Sequence, residues 1–425
     1  MSFQSINASI LTIGDELLIG QTIDTNSAFI AQELNRIGIW VRRRVAVGDD
    51  AVEIRQALDE EKKQSQLIIM TGGLGPTADD ITKPLLCGYF GGRLVVNESV
   101  LAHVKYLFEK VYRRPGPMLE RNLRQAEVPD VCTVLHNAQG TAPGMWFEQT
   151  DTEKRIFISL PGVPHEMKGL LTEEVIPRLL TSFRLPAIVH RTAFTAGAGE
   201  SMIAEQLVDF ETALPAHIRL AYLPAYGMVR LRLTARGADK AATEQELLPY
   251  FDQLQALVAD YLVTNEDEGL EIVIGKVLLA KGKTMGTAES CTGGYIAHLL
   301  TSIAGSSAYY KGSIISYANE TKENLLGVSP ATLASMGAVS KETVEQMVKG
   351  ALEKLNVDYV LATSGIMGPG GGSEAKPVGT VWIAAGNREK TVTHKLNLRF
   401  DRSRNISLAA MNALNILRKF ILTNS

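Results

Sequence analysis

The chain has 425 residues, 45% hydrophobic and 21% charged, which is the composition of a globular protein of roughly two to four domains. Its formal net charge of −3 and pI of about 6.2 argue against a nucleic acid or an anionic membrane as partner. Cys87, Cys132 and Cys291 form no CxxC, and the start MSFQSINASILTIG has no basic n-region, so a disulfide framework, a structural zinc site and a secretory signal are not expected, and the expected compartment is a reducing cytoplasm.

Residues 9–13 (SILTI) read as a strand. Residues 26–37 carry Phe29, Ile30, Leu34 and Ile37 at helical spacing, with Gly38 as a stop. A strand follows over 40–47, a helix over 51–63 and a short buried strand, LIIMT, over 67–71. This βαβα order predicts a parallel sheet with helices on both faces. The next segment reads as a small α+β module, with strands over 190–195 and 229–235 and helices over 201–210 and 243–261. The polar stretch TNEDEG at 264–269 serves as a linker. Alternation then resumes. Helices are predicted over 271–280, 292–300, 341–355 (capped by Ser340) and 405–422, with strands over 284–288, 312–317, 359–363 and 380–384. No run reaches the roughly 20 apolar residues of a membrane span.

Two stretches carry candidate chemistry. The first, TGGLGPTADD at 71–80, follows a strand directly, and glycines there let backbone N–H groups approach an anion. Asp79 and Asp80 would repel a phosphate unless a cation lies between them, which suggests a metal–phosphate site. GDELL (14–18) and VGDD (47–50) put Asp15, Glu16 and Asp49 at the ends of two more strands, so acids converge on one edge of the sheet. The second stretch, TAESCTGG at 287–294, places Ser290 and Cys291 on a strand-to-helix turn. Such a turn exposes a nucleophile and aims helix N–H groups at an oxyanion. Either residue could attack. The base is one of His298, His394 and Lys322, the lysine requiring desolvation to lower its pKa. The glycine-rich GIMGPGGG at 365–372 is longer than a turn requires and offers backbone donors.

The words IGDELLIGQTIDTNS (13–27), VGDD and TGGLGPTADDIT (71–82), with SLPGVPHEM (159–167), resemble the molybdopterin-binding fold of the molybdenum-cofactor biosynthesis proteins. The words TAESCTGG, GSSAYYKGSIISYANETKENLLGV (305–328), GAVS (337–340), SGIMGPGGGSEAKPVGTVW (364–382) and DRSRN (401–405) resemble the C-terminal domain of the CinA family and the stand-alone nicotinamide mononucleotide deamidases. The order of segments is similar to that of full-length CinA-family proteins, whose middle piece is KH-like. GAGE at 197–200 does not supply the GxxG clamp of a nucleic-acid-binding KH module, so a spacer or dimerisation role is expected for it. The resemblance implies a multi-domain α/β protein: a three-layer α/β/α molybdopterin-binding-like domain at 1–172, a small α+β KH-like module at 173–262, and an α/β CinA domain at 263–425.

It also implies a bifunctional hydrolase of pyridine-nucleotide salvage. The C-terminal domain would deamidate nicotinamide mononucleotide without a cofactor, with Ser290 as nucleophile, Lys322 as base, Tyr317 assisting, and Thr292, Gly293, Gly294, Gly365, Gly368, Gly370 and Arg402 binding substrate. The N-terminal domain would be an ADP-ribose pyrophosphatase using a divalent ion (Mg, Mn or Co) and potassium. Its site would comprise Asp15, Glu16, Asn26, Asp49, Thr71, Gly72, Gly73, Gly75, Thr77 and Asp80, with Asp15, Asp49 and Asp80 on the metal. A homodimer is expected. Met367 stands where the family usually has a small residue, Ser313 replaces a frequent glycine, and the phenylalanine before Asp401 lacks its usual following glycine. A molybdopterin-binding protein and a non-enzymatic competence or recombination partner are the alternative readings.

Overall fold

The computed structural model describes residues 6–77, 80–113, 118–150, 153–225 and 227–424. Two compact units are formed, Met1–Val189 with Ala235–Gln245, and His190–Thr234 with Glu246–Ser425.

In the first unit, β1 (Asn7–Ile13), α1 (Thr25–Arg36), β2 (Trp40–Val47), α2 (Ala51–Glu61), β3 (Leu67–Thr71) and α3 (Thr82–Tyr89) follow the expected alternation. β4 (Thr133–Leu135), β5 (Gly144–Thr150) and β6 (Lys154–Leu160) complete a sheet in the order β2-β1-β3-β6-β5-β4. The sheet is mixed rather than parallel: β1, β2, β3 and β6 run together, while β5 and β4 pair antiparallel. β5 and β6 are joined by a connection too short for a crossover helix, so they can pair only as a hairpin. Successive residues of β1 feed opposite cores. Ile10 packs with Ile30, Leu34, Ile69 and Leu160, and Leu11 with Ile54, Leu58, Ile68 and Phe157. Both helices are side-chain capped, α1 by Asp24 (from Ser27 N) and α2 by Asp50 (from Val52 N and Glu53 N).

The middle module has β7 (Ala187–Ala196), α4 (Glu200–Ala213), β8 (Ile218–Ala225), β9 (Met228–Gly237), α5 (Lys240–Leu257) and β10 (Leu262–Thr264), with strand order β8-β9-β7-β10. β8 carries no period-two alternation in sequence, and its residues are mostly part-exposed, which is why it goes unread there.

The C-terminal part runs α6 (Leu270–Lys281), β11 (Met285–Glu289), α7 (Tyr295–Thr301), β12 (Tyr310–Ile315), α8 (Asn319–Leu326), α9 (Lys341–Leu355), β13 (Tyr359–Gly365), β14 (Thr380–Gly386), β15 (Thr391–Asn397) and α10 (Arg402–Thr423). Its sheet is ordered β12-β11-β13-β14-β15, parallel across the first three strands and antiparallel across the rest. One face packs Ile274, Leu278, Leu361, Ile383, Leu414 and Phe420, the other Val344, Met347, Val348, Val360 and Ala362. No run of about 20 apolar residues occurs in α10, as the sequence indicates, although its 22-residue length and its hydropathy alone would allow it to cross a membrane. Its apolar stripe of Leu408, Ala409, Ala413, Leu414, Leu417 and Ile421 is buried in the domain core, which accounts for that hydropathy.

Candidate functional site

The C-terminal site is built at the carboxyl ends of β11 and β12. Ser290 follows the last residue of β11, and its N–H bonds the Thr363 carbonyl of β13 at 2.9 Å. The next helix starts at Tyr295, not at Thr292 as the sequence suggests. Gly293 and Gly294 have φ of 59° and 97°, left-handed values that cannot continue a right-handed helix. The turn is thus wider, and Ser290 sits in it 7% exposed.

Lys322, on α8, reaches into this turn. Its Nζ donates to Ser290 Oγ at 3.0 Å, to the Ser316 carbonyl at 2.7 Å and to the Tyr317 carbonyl at 3.3 Å. Lys322 is 1% exposed, and among the described residues no carboxylate forms an ion pair with it. Burial pushes its ammonium below the usual lysine range, opposed in part by Cys291. A neutral amine keeps two N–H bonds and gains a lone pair. The two carbonyls hold the N–H bonds, and the lone pair then faces the Ser290 hydroxyl. Cys291 is also buried, and burial pushes its thiol up to about 12, so it carries no thiolate near neutrality. His298 and His394 are both exposed, and neither is a hydrogen-bond partner of Ser290.

The remaining predicted residues divide into two groups. Tyr317, Arg402 and Gly368 come together: Arg402 donates to the Tyr317 hydroxyl at 3.0 Å and to the Gly368 carbonyl at 2.9 Å. Tyr317 is 61% exposed, and Gly370 is exposed on the same loop, which begins at Gly365. Thr292 is directed elsewhere, its buried hydroxyl bonding Glu289 Oε2 and Thr363 Oγ1, each at 2.8 Å. Gly293 is exposed, while the Gly294 N–H bonds Glu289 Oε2 at 3.0 Å. Met367 sends its side chain into the core, where a larger residue finds room, and Ser313 joins Thr287 and Glu289 in hydrogen bonds. Glu289 and Asn405 are the residues that sequence reasoning passed over. Asn405 is fully buried and donates to the carbonyls of Met367 (3.1 Å) and Phe400 (2.8 Å), pinning the glycine loop to the start of α10. A lone asparagine in a helix carries no sequence signal for this. Glu289, directly before Ser290, did offer one.

In the first unit the predicted residues gather at the ends of β1, β2 and β3. Asp15 and Asp49 bond reciprocally, Asp15 N to Asp49 Oδ2 at 3.1 Å and Asp49 N to Asp15 Oδ1 at 3.2 Å. Glu16 is exposed beside them, its carboxylate over Gly14. Gly72, at φ 117°, lies where a Cβ would come within 2.1 Å of the Ile13 carbonyl, so only glycine lets the loop cross β1 here. Gly73 packs on Thr82. Asp80 is turned into its own loop. It accepts from Gly75 N at 2.7 Å and Thr77 N at 2.9 Å, and also from the Thr77 hydroxyl. Consequently Asp15 and Asp49 are together and Asp80 is not with them, and no group of three His, Cys, Asp or Glu able to hold a metal occurs among the described residues. Asp79 lies outside those residues. Asn26 Nδ2 donates to Gly162 O (2.7 Å) and Thr71 Oγ1 (3.2 Å), and Thr71 Oγ1 donates to Pro161 O (2.9 Å). The amide orientation is thereby fixed, and Asn26 Oδ1 is a buried acceptor with no partner. Asp15 and Asp49 bring two carboxylates together, an all-oxygen pair that suits a hard cation taking its remaining ligands from substrate phosphates and water.

Comparisons with known proteins bear on the same three regions. The chain matches the family model for a probable molybdopterin binding domain over 9–181, the damage-inducible protein CinA KH domain over 190–264 and the CinA C-terminal domain over 267–421. A CinA-like protein of Cytophaga hutchinsonii is 47% identical over 97% of this chain and 98% of its own length. Another, from Flavobacterium psychrophilum, is 46% identical over 99% of both chains. The crystal structure of a competence/damage inducible protein from Agrobacterium tumefaciens is 39% identical over 35% of this chain and 92% of its own, with a TM-score of 0.35. With three domain matches in order and 46% and 47% identity over nearly the whole chain to the two relatives above, the chain belongs to the CinA family of competence/damage-inducible proteins.

Proposed function

We propose that the C-terminal domain is a serine amidohydrolase that converts nicotinamide mononucleotide and water to nicotinic acid mononucleotide and ammonia. The observation carrying this reading is the 3.0 Å contact between Ser290 Oγ and a buried Lys322 whose other two contacts are backbone carbonyls. Lys322, as the free amine, takes the Ser290 proton while Oγ bonds to the carboxamide carbon. The turn N–H groups of Cys291 and Thr292 receive the oxyanion. Lys322 returns the proton to the departing nitrogen, ammonia leaves, and water repeats the attack on the acyl-serine. This chemistry balances with the pair alone. Arg402 and Tyr317 form the polar edge that meets the nucleotide phosphate.

For the N-terminal domain the reading is hydrolysis of the pyrophosphate of ADP-ribose. Asp15 and Asp49 are the residues that would hold a divalent ion, with potassium as a further activator. Such an ion, when bound, neutralises two phosphates and activates water. The glycines at 72, 73 and 75 with Thr77 admit the phosphates. Cytoplasmic location accords with three free cysteines, and the assembly is read as a homodimer.

Ammonia release from nicotinamide mononucleotide tests the first activity. Purified protein and Cys291→Ala are expected to release it, and Ser290→Ala to lose at least about 10³-fold in rate. No release from folded wild-type protein would sink the assignment.

A further inference from the structure

Glu289 is fully buried beside the nucleophile and is used by none of the steps above. Both of its oxygens are spent. Oε2 accepts from Thr292 Oγ1 (2.8 Å), Gly294 N (3.0 Å) and Ile296 N (3.1 Å). Oε1 accepts from Ala297 N (2.8 Å), with Thr287 Oγ1 at 3.3 Å and Ser313 Oγ at 3.4 Å. Every partner is a donor, which suits a carboxylate, an acceptor-only group. Three of those donors are first-turn or pre-helix N–H groups of α7, the groups that the sequence suggested would face the reacting oxygen. They are consumed by Glu289 instead. The backbone of Glu289 is engaged as well: its carbonyl accepts from Ser316 N at 2.8 Å, and the Ser316 carbonyl in turn holds Lys322 Nζ.

We propose that Glu289 is the positioning residue of the site. Its carboxylate locks the turn 290–294 to the start of α7, its main chain ties that turn to the strand exit at Ser316, whose carbonyl holds Lys322, and the oxyanion is thereby left to the turn N–H groups of Cys291 and Thr292. The inference rests on Ser290 being the nucleophile. Glutamine in place of Glu289 keeps the size but turns one acceptor into an NH₂ facing N–H donors. The turn must then shift, and a displacement of about 1 Å at a reacting group costs on the order of 10²-fold in rate.

The test uses the full chain in two assays: ammonia release from nicotinamide mononucleotide, and the rate of Ser290 labelling by a fluorophosphonate probe, which does not depend on the natural substrate. Glu289→Gln, with its folded fraction checked by circular dichroism, is expected to lower kcat and the labelling rate at least 10-fold with KM changed less than 3-fold. Thr292→Val, which removes one donor and not the carboxylate, keeps the test decisive if Glu289→Gln does not fold. It is expected to lower kcat 3- to 10-fold at unchanged KM, whereas a substrate-binding threonine would raise KM. Folded Glu289→Gln with wild-type kcat and labelling overturns the inference and leaves the amidohydrolase reading standing. The same holds for Thr292→Val with raised KM and unchanged kcat. Labelling of Ser290 without ammonia release overturns only the substrate. Wild-type protein that is neither labelled nor active overturns the nucleophile assignment, and the inference with it.

Discussion

At the scale of single residues, burial decides which groups can act. Ser290 and Cys291 are neighbours of similar size, yet the thiol is pushed up to about 12 while the hydroxyl has a buried amine 3.0 Å away. The lowered pKa of Lys322 fixes a sign for the pH dependence. With the free amine as the proposed base, kcat/KM is expected to rise with pH through that pKa and then level off. Lys322→Arg, which cannot deprotonate, is expected to lose at least about 10²-fold and the pH limb with it, as measured by a kcat/KM profile from pH 6 to 10. Lys83 in the first unit presents a different case. It is buried, its Nζ bonds the Gln125 carbonyl at 3.1 Å, and burial brings its pKa down from 10.5 to about 8. Between those values the unfolded chain binds more protons than the folded one, so stability rises with pH across that window and the full cost of the buried charge is present below it. Lys83→Met is expected to stabilise the protein by about 1–3 kcal/mol at pH 7. Melting curves at pH 7 and 9 check this, since the pH 9 difference between variant and wild type should be smaller.

At the scale of elements, caps and periodic faces account for most of what folds locally. The 341–355 helix has Val344, Met347, Val348 and Ala351 on its buried face, and Ser340 Oγ accepts from Thr343 N at 3.2 Å. Ser340→Ala is expected to cost about 1 kcal/mol, read as a shift in the denaturation midpoint. α10 contributes through packing. Phe420 is 2% exposed and meets Tyr359 edge-on, with ring centroids 6.2 Å apart. Phe420→Ala is expected to destabilise the C-terminal domain by about 3–5 kcal/mol, seen in a urea titration followed by circular dichroism. Elements with a clear hydrophobic period, such as 341–355, or a short apolar run into glycines, such as 67–71, were legible in sequence. The hairpin of β5 and β6 and strand β8 were not. Strand pairing depends on distant partners, whereas a helix satisfies its own hydrogen bonds.

At the scale of the molecule, each compact unit closes its own core and carries its own candidate chemistry. The two proposed activities, housed this way, should be separable. Asp49→Ala is expected to lower metal-dependent ADP-ribose hydrolysis at least about 10²-fold and leave ammonia release within 2-fold, and Ser290→Ala to do the reverse. Parallel assays on the two variants decide it. Loss of both activities in either one would mean that the sites are coupled.

The sequence by itself determined the succession of α/β segments, the glycine words at strand ends and a set of candidates (Ser290 or Cys291 with His298, His394 or Lys322, and the first-site acids), because these depend on local period and on residue type; the choice of Ser290 and Lys322 among them rested on the family resemblance. Tertiary structure alone decided three matters. It brought Lys322 to Ser290 across 32 positions of chain and buried it, which no spacing rule specifies. It turned Asp80 into its own loop and away from Asp15 and Asp49, since the loop N–H groups needed an acceptor. It also spent the first N–H groups of α7 on Glu289, because a buried carboxylate must find donors, and here the helix start is the nearest set.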